Sequence, residues 1–191
     1  MSASDLGGIR VMAGAALVAE PWRNGAGTTR QIAAAPAPDG GFLWRLSLAS
    51  IDAAAPFSAL AGVDRLFAVA AGRVALTGAQ APFPQELGEG DAPLAFAGEA
   101  AVAGAPLGGA ALALNLMVRR GQACGQMARH SAGAIAPGVG GLLVFAPAPV
   151  ALSVAGQALA LARHDTLIAP AGAAVAAAGP CLWARVALTP G

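Results

Sequence analysis

Glycine and proline recur so often in this chain that little room is left for a long helix. Of 191 residues, 26 are glycine and 14 are proline. Inside a helix each glycine costs about 1 kcal/mol relative to alanine, and each proline about 3 kcal/mol. Alanine-rich stretches such as residues 171–178 look helical by propensity alone. Gly172 and Gly179-Pro180 bracket that stretch and leave it too short for a stable helix. The combined glycine and proline share still falls below the roughly 25–30% that signals disorder.

What fits between the breaks is short strands. Residues 42–50 alternate clearly, with Trp44, Leu46 and Leu48 on one face and Arg45, Ser47 and Ala49 on the other. Residues 111–120 repeat the pattern. There Leu112, Leu114, Leu116 and Val118 share the face expected to pack into a sandwich, and Ala113, Asn115, Met117 and Arg119 share the opposite face. Further strands are expected at 65–70, 73–77, 94–97, 141–146, 150–154, 158–162, 166–168, 173–177 and 181–188, with Gly72 turning one hairpin. Residues 82–93 carry Glu86, Glu89 and Asp91 among prolines and glycines, and read as an exposed acidic loop. Many short strands with turns between them indicate an all-β sandwich or barrel.

Composition excludes several functions. Mean hydropathy is +0.64, yet the longest uncharged stretch, residues 130–162, is broken by Pro137, Pro147 and Pro149. A membrane-spanning helix needs about 20 apolar residues without such breaks, so no membrane partner is expected. Residues 1–10 have neither a basic start nor a compact apolar run, and do not read as a secretory signal. Eleven arginines oppose ten acids and are scattered, so no nucleic-acid patch forms. Cys124 and Cys181 make no Cys-x-x-Cys unit and read as reduced thiols of a cytoplasmic protein. His130 and His164 are the only histidines, too few for a metal site, and no cofactor is expected. No Gly-x-Ser-x-Gly elbow is present.

Polar chemistry concentrates in Pro21-Trp22-Arg23-Asn24-Gly25-Ala26-Gly27-Thr28-Thr29-Arg30. Arg23, Arg30 and Arg45 can each present a planar fork to a carboxylate. Asn24 and Asn115 offer both a donor and an acceptor. Each also has a plain structural reading: Asn24-Gly25 is a standard turn pair, Trp22 and Trp44 suit a core, and Arg45 could pair with Asp64.

The same ten residues resemble the opening motif of the HutD/Ves family. The resemblance continues in order through Phe42-Leu43-Trp44-Arg45-Leu46-Ser47-Leu48-Ala49, Pro56-Phe57-Ser58, Gly62-Val63-Asp64-Arg65, Leu94-Ala95-Phe96-Ala97-Gly98-Glu99 and Leu114-Asn115-Leu116-Met117-Val118-Arg119-Arg120-Gly121. It implies an all-β bicupin of jelly-roll type, with one cupin at about 15–110 and a second at 111–189, lacking metal-binding histidines. It also implies a protein associated with histidine utilisation, which binds a small carboxylate of the formimidoyl-glutamate type and moderates the pathway. Carried over by position, the ligand site comprises Trp22, Asn24, Thr28, Arg30, Arg45, Ser47, Asn115 and Arg119, with no catalytic residue. The chain departs from the family pattern at Gln31, Ala61 and Ala113. Two rival readings stand beside this one. The first is a metal-independent enzyme acting on a small acid, with Glu20 or Asp64 as base. The second is a protein–protein module, since many alanines and few charges suit a homodimer.

Overall fold

The structure, a computed structural model, describes residues 8–80 and 82–189. Most of the segment read as lacking a secretory signal, residues 1–7, lies outside them. In chain order the strands are β1 (Arg10–Met12), β2 (Ala19–Pro21), β3 (Gly27–Pro36), β4 (Phe42–Ile51), β5 (Ala55–Pro56), β6 (Val63–Ala71), β7 (Arg73–Gly78), β8 (Gln85–Gly88), β9 (Leu94–Ala97), β10 (Val102–Pro106) and β11 (Ala111–Arg119). They continue with β12 (Ala123–His130), β13 (Gly133–Ala134), β14 (Gly141–Phe145), β15 (Val150–Val154), β16 (Gln157–Leu161), β17 (Thr166–Ala169), β18 (Val175–Ala177) and β19 (Cys181–Leu188). A single 3-10 turn, Gly14–Ala16, is the only helical element among the described residues. None of the described helices is long and apolar enough to cross a membrane.

The strands divide into two compact units. The first takes Val18–Ala34 and Trp44–Arg120. Its six-stranded sheet has the order β2-β3-β4-β11-β6-β9 and its four-stranded sheet the order β5-β10-β7-β8. Ile51, Phe67, Val69, Ala111 and Ala113 from one sheet share a buried cluster with Val74, Leu76, Leu87 and Val102 from the other. Each large apolar side chain buried there contributes about 1.5–3 kcal/mol. The second unit takes the described residues up to Leu17, Ala35–Leu43 and those from Gly121 onward. It pairs a β1-β17-β14-β19-β12 sheet with a β13-β18-β15-β16 sheet around Leu142, Val144, Leu167, Val150, Leu152 and Leu161. The chain is therefore all-β, built as two sandwich units.

Several local expectations change. Strand β11, at which the sequence reading opens a second cupin, is hydrogen-bonded to β4 on one side and β6 on the other, inside the first unit's sheet. Its leucine face is fully buried at Leu114 and Leu116. The opposite face, with Ala111 and Ala113, is the one that enters the sandwich interior. The 82–93 segment is not simply a loop. It contains β8, whose buried Leu87 pairs with Val74 of β7. Its acids serve the turns beside it: Glu89 accepts from the Gly72 amide at 2.8 Å and Asp91 from the Gly88 amide at 2.7 Å.

Asp64, read as a partner for Arg45, accepts instead from Arg120 at 2.7 Å. The same guanidinium reaches Glu99 at 3.1 Å, and Glu99 also accepts from the Gly62 amide at 2.6 Å. One exposed arginine thus ties the end of β11 to the start of β6 and to the turn after β9. The Arg120 hydrogen bond, and then that of Gly62, hold the Glu99 carboxyl down at about 2. A carboxyl depressed by folding adds stability above its unfolded value of 4.5 and loses it as the pH falls towards 2. Acid unfolding of the protein is expected to show a component in that window. Arg120→Ala should flatten it and high salt should shrink it, because the cluster is exposed and screened. Thermal melts between pH 5 and pH 2 check this.

Candidate functional site

The interior face of the first unit's large sheet changes character along its strands. On β11 the inward residues run Ala111, Ala113, Asn115, Met117. On β4 they run Ile51, Ala49, Ser47, Arg45, each directly opposite its β11 counterpart. On β6, Val69 lies in the core, Phe67 stands opposite Asn115, and Arg65 stands opposite Met117. Apolar packing fills one end of the interior. At the other end the same face turns polar and a cavity of about 580 Å³ opens.

Two cross-strand rows form its floor. The first is Arg45–Met117–Arg65, spanning β4, β11 and β6. Both arginines are pulled down from their ordinary value, first by burial. Arg65 falls to about 10, with the positive charge of Arg45 as the second cause. Arg45 is partly offset by the negative charge of Glu20, which also lines the cavity. Both remain cationic at neutral pH. Arg65 donates to the Ser58 carbonyl at 2.5 Å and lies over the Phe57 ring, 5.9 Å from its centroid. Arg45 donates to the Met117 sulfur at 3.4 Å.

The second row is Ser47–Asn115–Phe67. Asn115 is 8% exposed, and its Oδ1 is a buried acceptor with no hydrogen-bond partner. The walls come from the segment carrying Pro56, Phe57, Ser58 and Leu60, and from the turn between β2 and β3. That turn is closed by the Gly25 amide on the Trp22 carbonyl and the Trp22 amide on the Gly27 carbonyl. Asn24 Oδ1 accepts from the Ala26 amide at 3.1 Å, and Trp22 Nε1 donates to Thr29 Oγ1 at 2.8 Å. Gly25 takes a φ of +71°, which favours glycine.

Of the residues expected at the site, Trp22, Asn24, Arg45, Ser47 and Asn115 line this cavity together. Thr28, Arg30 and Arg119 do not. On β3 the alternation that sends Thr29 to the cavity sends Thr28 and Arg30 to the other face. Arg119 is on the Asn115 face but lies beyond the cavity, opposite Val63 at the strand end. Among the lining residues that sequence reading left out of the set are Arg23, Arg65, Phe57, Phe67, Met117 and Thr29. The period-two spacing of Arg65, Phe67 and Val69 carried the signal for two of them. Glu20 lines the cavity, and Asp64 does not. Among the described residues no group of three or more His, Cys, Asp or Glu side chains is placed to hold a metal ion. The arrangement thus presents two guanidinium forks, one buried and one half-buried, to the cavity, with the polar Ser47–Asn115 pair one row deeper.

Comparison with known proteins agrees with the fold. A family model described as HutD matches residues 14–182. Protein Ves of Citrobacter koseri is 41% identical over 101 residues, which is 52% of each chain. The protein Ves of Cronobacter sakazakii is 42% identical over 101 residues, covering 52% of this chain and 54% of that protein. This chain therefore spans about half the length of the curated relatives it matches. A structure of HutD from Pseudomonas fluorescens SBW25, in a formate condition, superposes with a TM-score of 0.82 at 27% identity, covering 95% of this chain and all of the other. A cupin 2 conserved barrel domain protein from Leptotrichia buccalis, at 10% identity and a TM-score of 0.58 over 94% of this chain and 96% of that one, shares the fold alone.

The tightest backbone approach at the site is at Gly27. A Cβ there would sit 2.0 Å from the Ser50 carbonyl and 3.3 Å from the Trp22 ring. Gly27→Ala is expected to cost about 1–3 kcal/mol by overpacking, or roughly 2–4 °C of Tm per kcal/mol. It should also displace Trp22 from the cavity wall. Calorimetric melting and the change in Trp22 accessibility to a quencher measure the two effects.

Proposed function

The chain belongs to the HutD family, and on that premise we propose that the first unit's cavity binds a small carboxylated metabolite of the formimidoyl-glutamate type, through which the protein moderates histidine catabolism in the cytoplasm. The observation that carries the binding reading is the Arg45–Met117–Arg65 row. The buried guanidinium of Arg65 and the half-buried one of Arg45 stand on either side of Met117 and repel one another at the floor of a cavity large enough for a metabolite. An anion placed between them relieves that repulsion and receives charge-assisted hydrogen bonds. Trp22, Phe57 and Phe67 supply flat apolar walls for the carbon skeleton. The role in histidine catabolism is supported by family membership, and the ligand class by the chemistry of the cavity.

Titration calorimetry with formimidoyl-glutamate, urocanate, glutamate and formate tests this. One or more of these acids should bind. Arg45→Ala and Arg65→Ala should each weaken binding about 10- to 100-fold, the worth of a charge-assisted hydrogen bond. Arg45→Lys should recover only part of the loss, because an ammonium lacks the planar fork. No heat with any of the four acids would overturn the proposal.

A further inference from the structure

We infer that Asn115 selects the ligand by its N–H or O–H donor, so that the cavity takes acids carrying such a donor one strand-pair step from the carboxylate and rejects isosteres that present only an acceptor there. This rests on the reading above that a small acid occupies the cavity. Asn115 lies one row away from the two arginines. Asn115 Oδ1 is buried and has no partner, on a side chain that is 8% exposed and lines the cavity. A buried acceptor left unmatched is costly, whereas one matched by an incoming donor is not. The geometry fixes where the donor must sit. Asn115 precedes Met117 by two residues on β11, so the Ser47–Asn115–Phe67 row lies about 6.6 Å along the strands from the arginine row. A carboxylate held by Arg45 and Arg65 therefore places a group several bonds away beside Asn115. Phe67 on one side and Ala49 and Ile51 further in are apolar, which leaves Ser47, opposite Asn115 in the same row, as the neighbouring polar side chain. A carbonyl or ether oxygen there would set lone pair against lone pair at Asn115 Oδ1 and leave that buried acceptor unmatched, even where the Ser47 hydroxyl donates to the ligand. An N–H or O–H would satisfy the orphaned oxygen. Sites built to hydrogen-bond a substrate donor discriminate strongly against analogues that lack it.

Three acids with one carbon skeleton test this by calorimetry. Glutamate presents N–H donors, 2-hydroxyglutarate an O–H donor, and 2-oxoglutarate only an acceptor. The wild-type protein is expected to bind the first two at least about tenfold more tightly than the third. In Asn115→Ala the three affinities should converge, while the dependence on Arg45 persists. Asn115→Ser, which restores a small hydroxyl, should recover part of the preference, and melting curves of both variants report folding. Equal or tighter wild-type binding of 2-oxoglutarate overturns the inference while leaving the small-acid reading in place. A preference that survives Asn115→Ala also overturns it. If none of the three acids, nor any of the four named above, binds the wild-type protein, the small-acid reading falls and this inference falls with it.

Discussion

Two positive charges held in one cross-strand row inside a β-sandwich, on either side of Met117, set the terms for the rest of the first unit. Burial disfavours each guanidinium, and the charge of Arg45 adds to the cost at Arg65. Replacing a buried ion by an apolar side chain of similar size is often neutral or stabilising, so the pair works against the fold that contains it. The surroundings soften the cost. Glu20 faces Arg45, the Ser58 carbonyl and the Phe57 ring receive Arg65, and the Met117 sulfur lies between them. At the other end of the same interior face an apolar cluster packs the strands together.

Register is what makes the cavity a defined site. Every floor residue occupies a ladder position on β4, β11 or β6, with both strand neighbours fixed by backbone hydrogen bonds. A slip of one residue would send Arg45, Asn115 and Arg65 to the opposite face. The walls follow a different logic. The β2–β3 turn is shaped by side chain and backbone together: Asn24 holds the Ala26 amide, Gly25 takes the left-handed conformation, and Gly27 lets β3 approach the Ser50 carbonyl. The turn reading of Asn24-Gly25 and the binding reading of the same residues therefore describe one structure.

Much of this was legible in the sequence where alternation was strong. The 42–50 and 111–120 patterns located β4 and β11 and placed Asn115 opposite the leucine face. They did not reveal which face looked into the sandwich. Both faces are buried, and hydrophobicity alone ranks leucine above alanine. Strand β3 is hard to read because it begins Gly-Thr-Thr-Arg, without an apolar period. The sequence thus offers no alternation to say that Thr28 and Arg30, carried into the site by resemblance, face away from the cavity that Thr29 lines. Strand β8 was hidden by Glu86 and the flanking glycines, although Leu87 anchors it. Arg65 went unmarked because its value depends on Arg45, twenty positions earlier, and only the shared β11 neighbour brings the two together.

The indole of Trp22 has a further consequence. It is pinned by its Nε1–H to Thr29, packs edge-on to Phe57 with ring centroids 6.3 Å apart, and forms part of the cavity wall. The chain has three tryptophans and no tyrosine, and Trp44 is 2% exposed. The protein thus carries a built-in fluorophore beside its cavity, and events there can be followed by the emission of the unlabelled molecule.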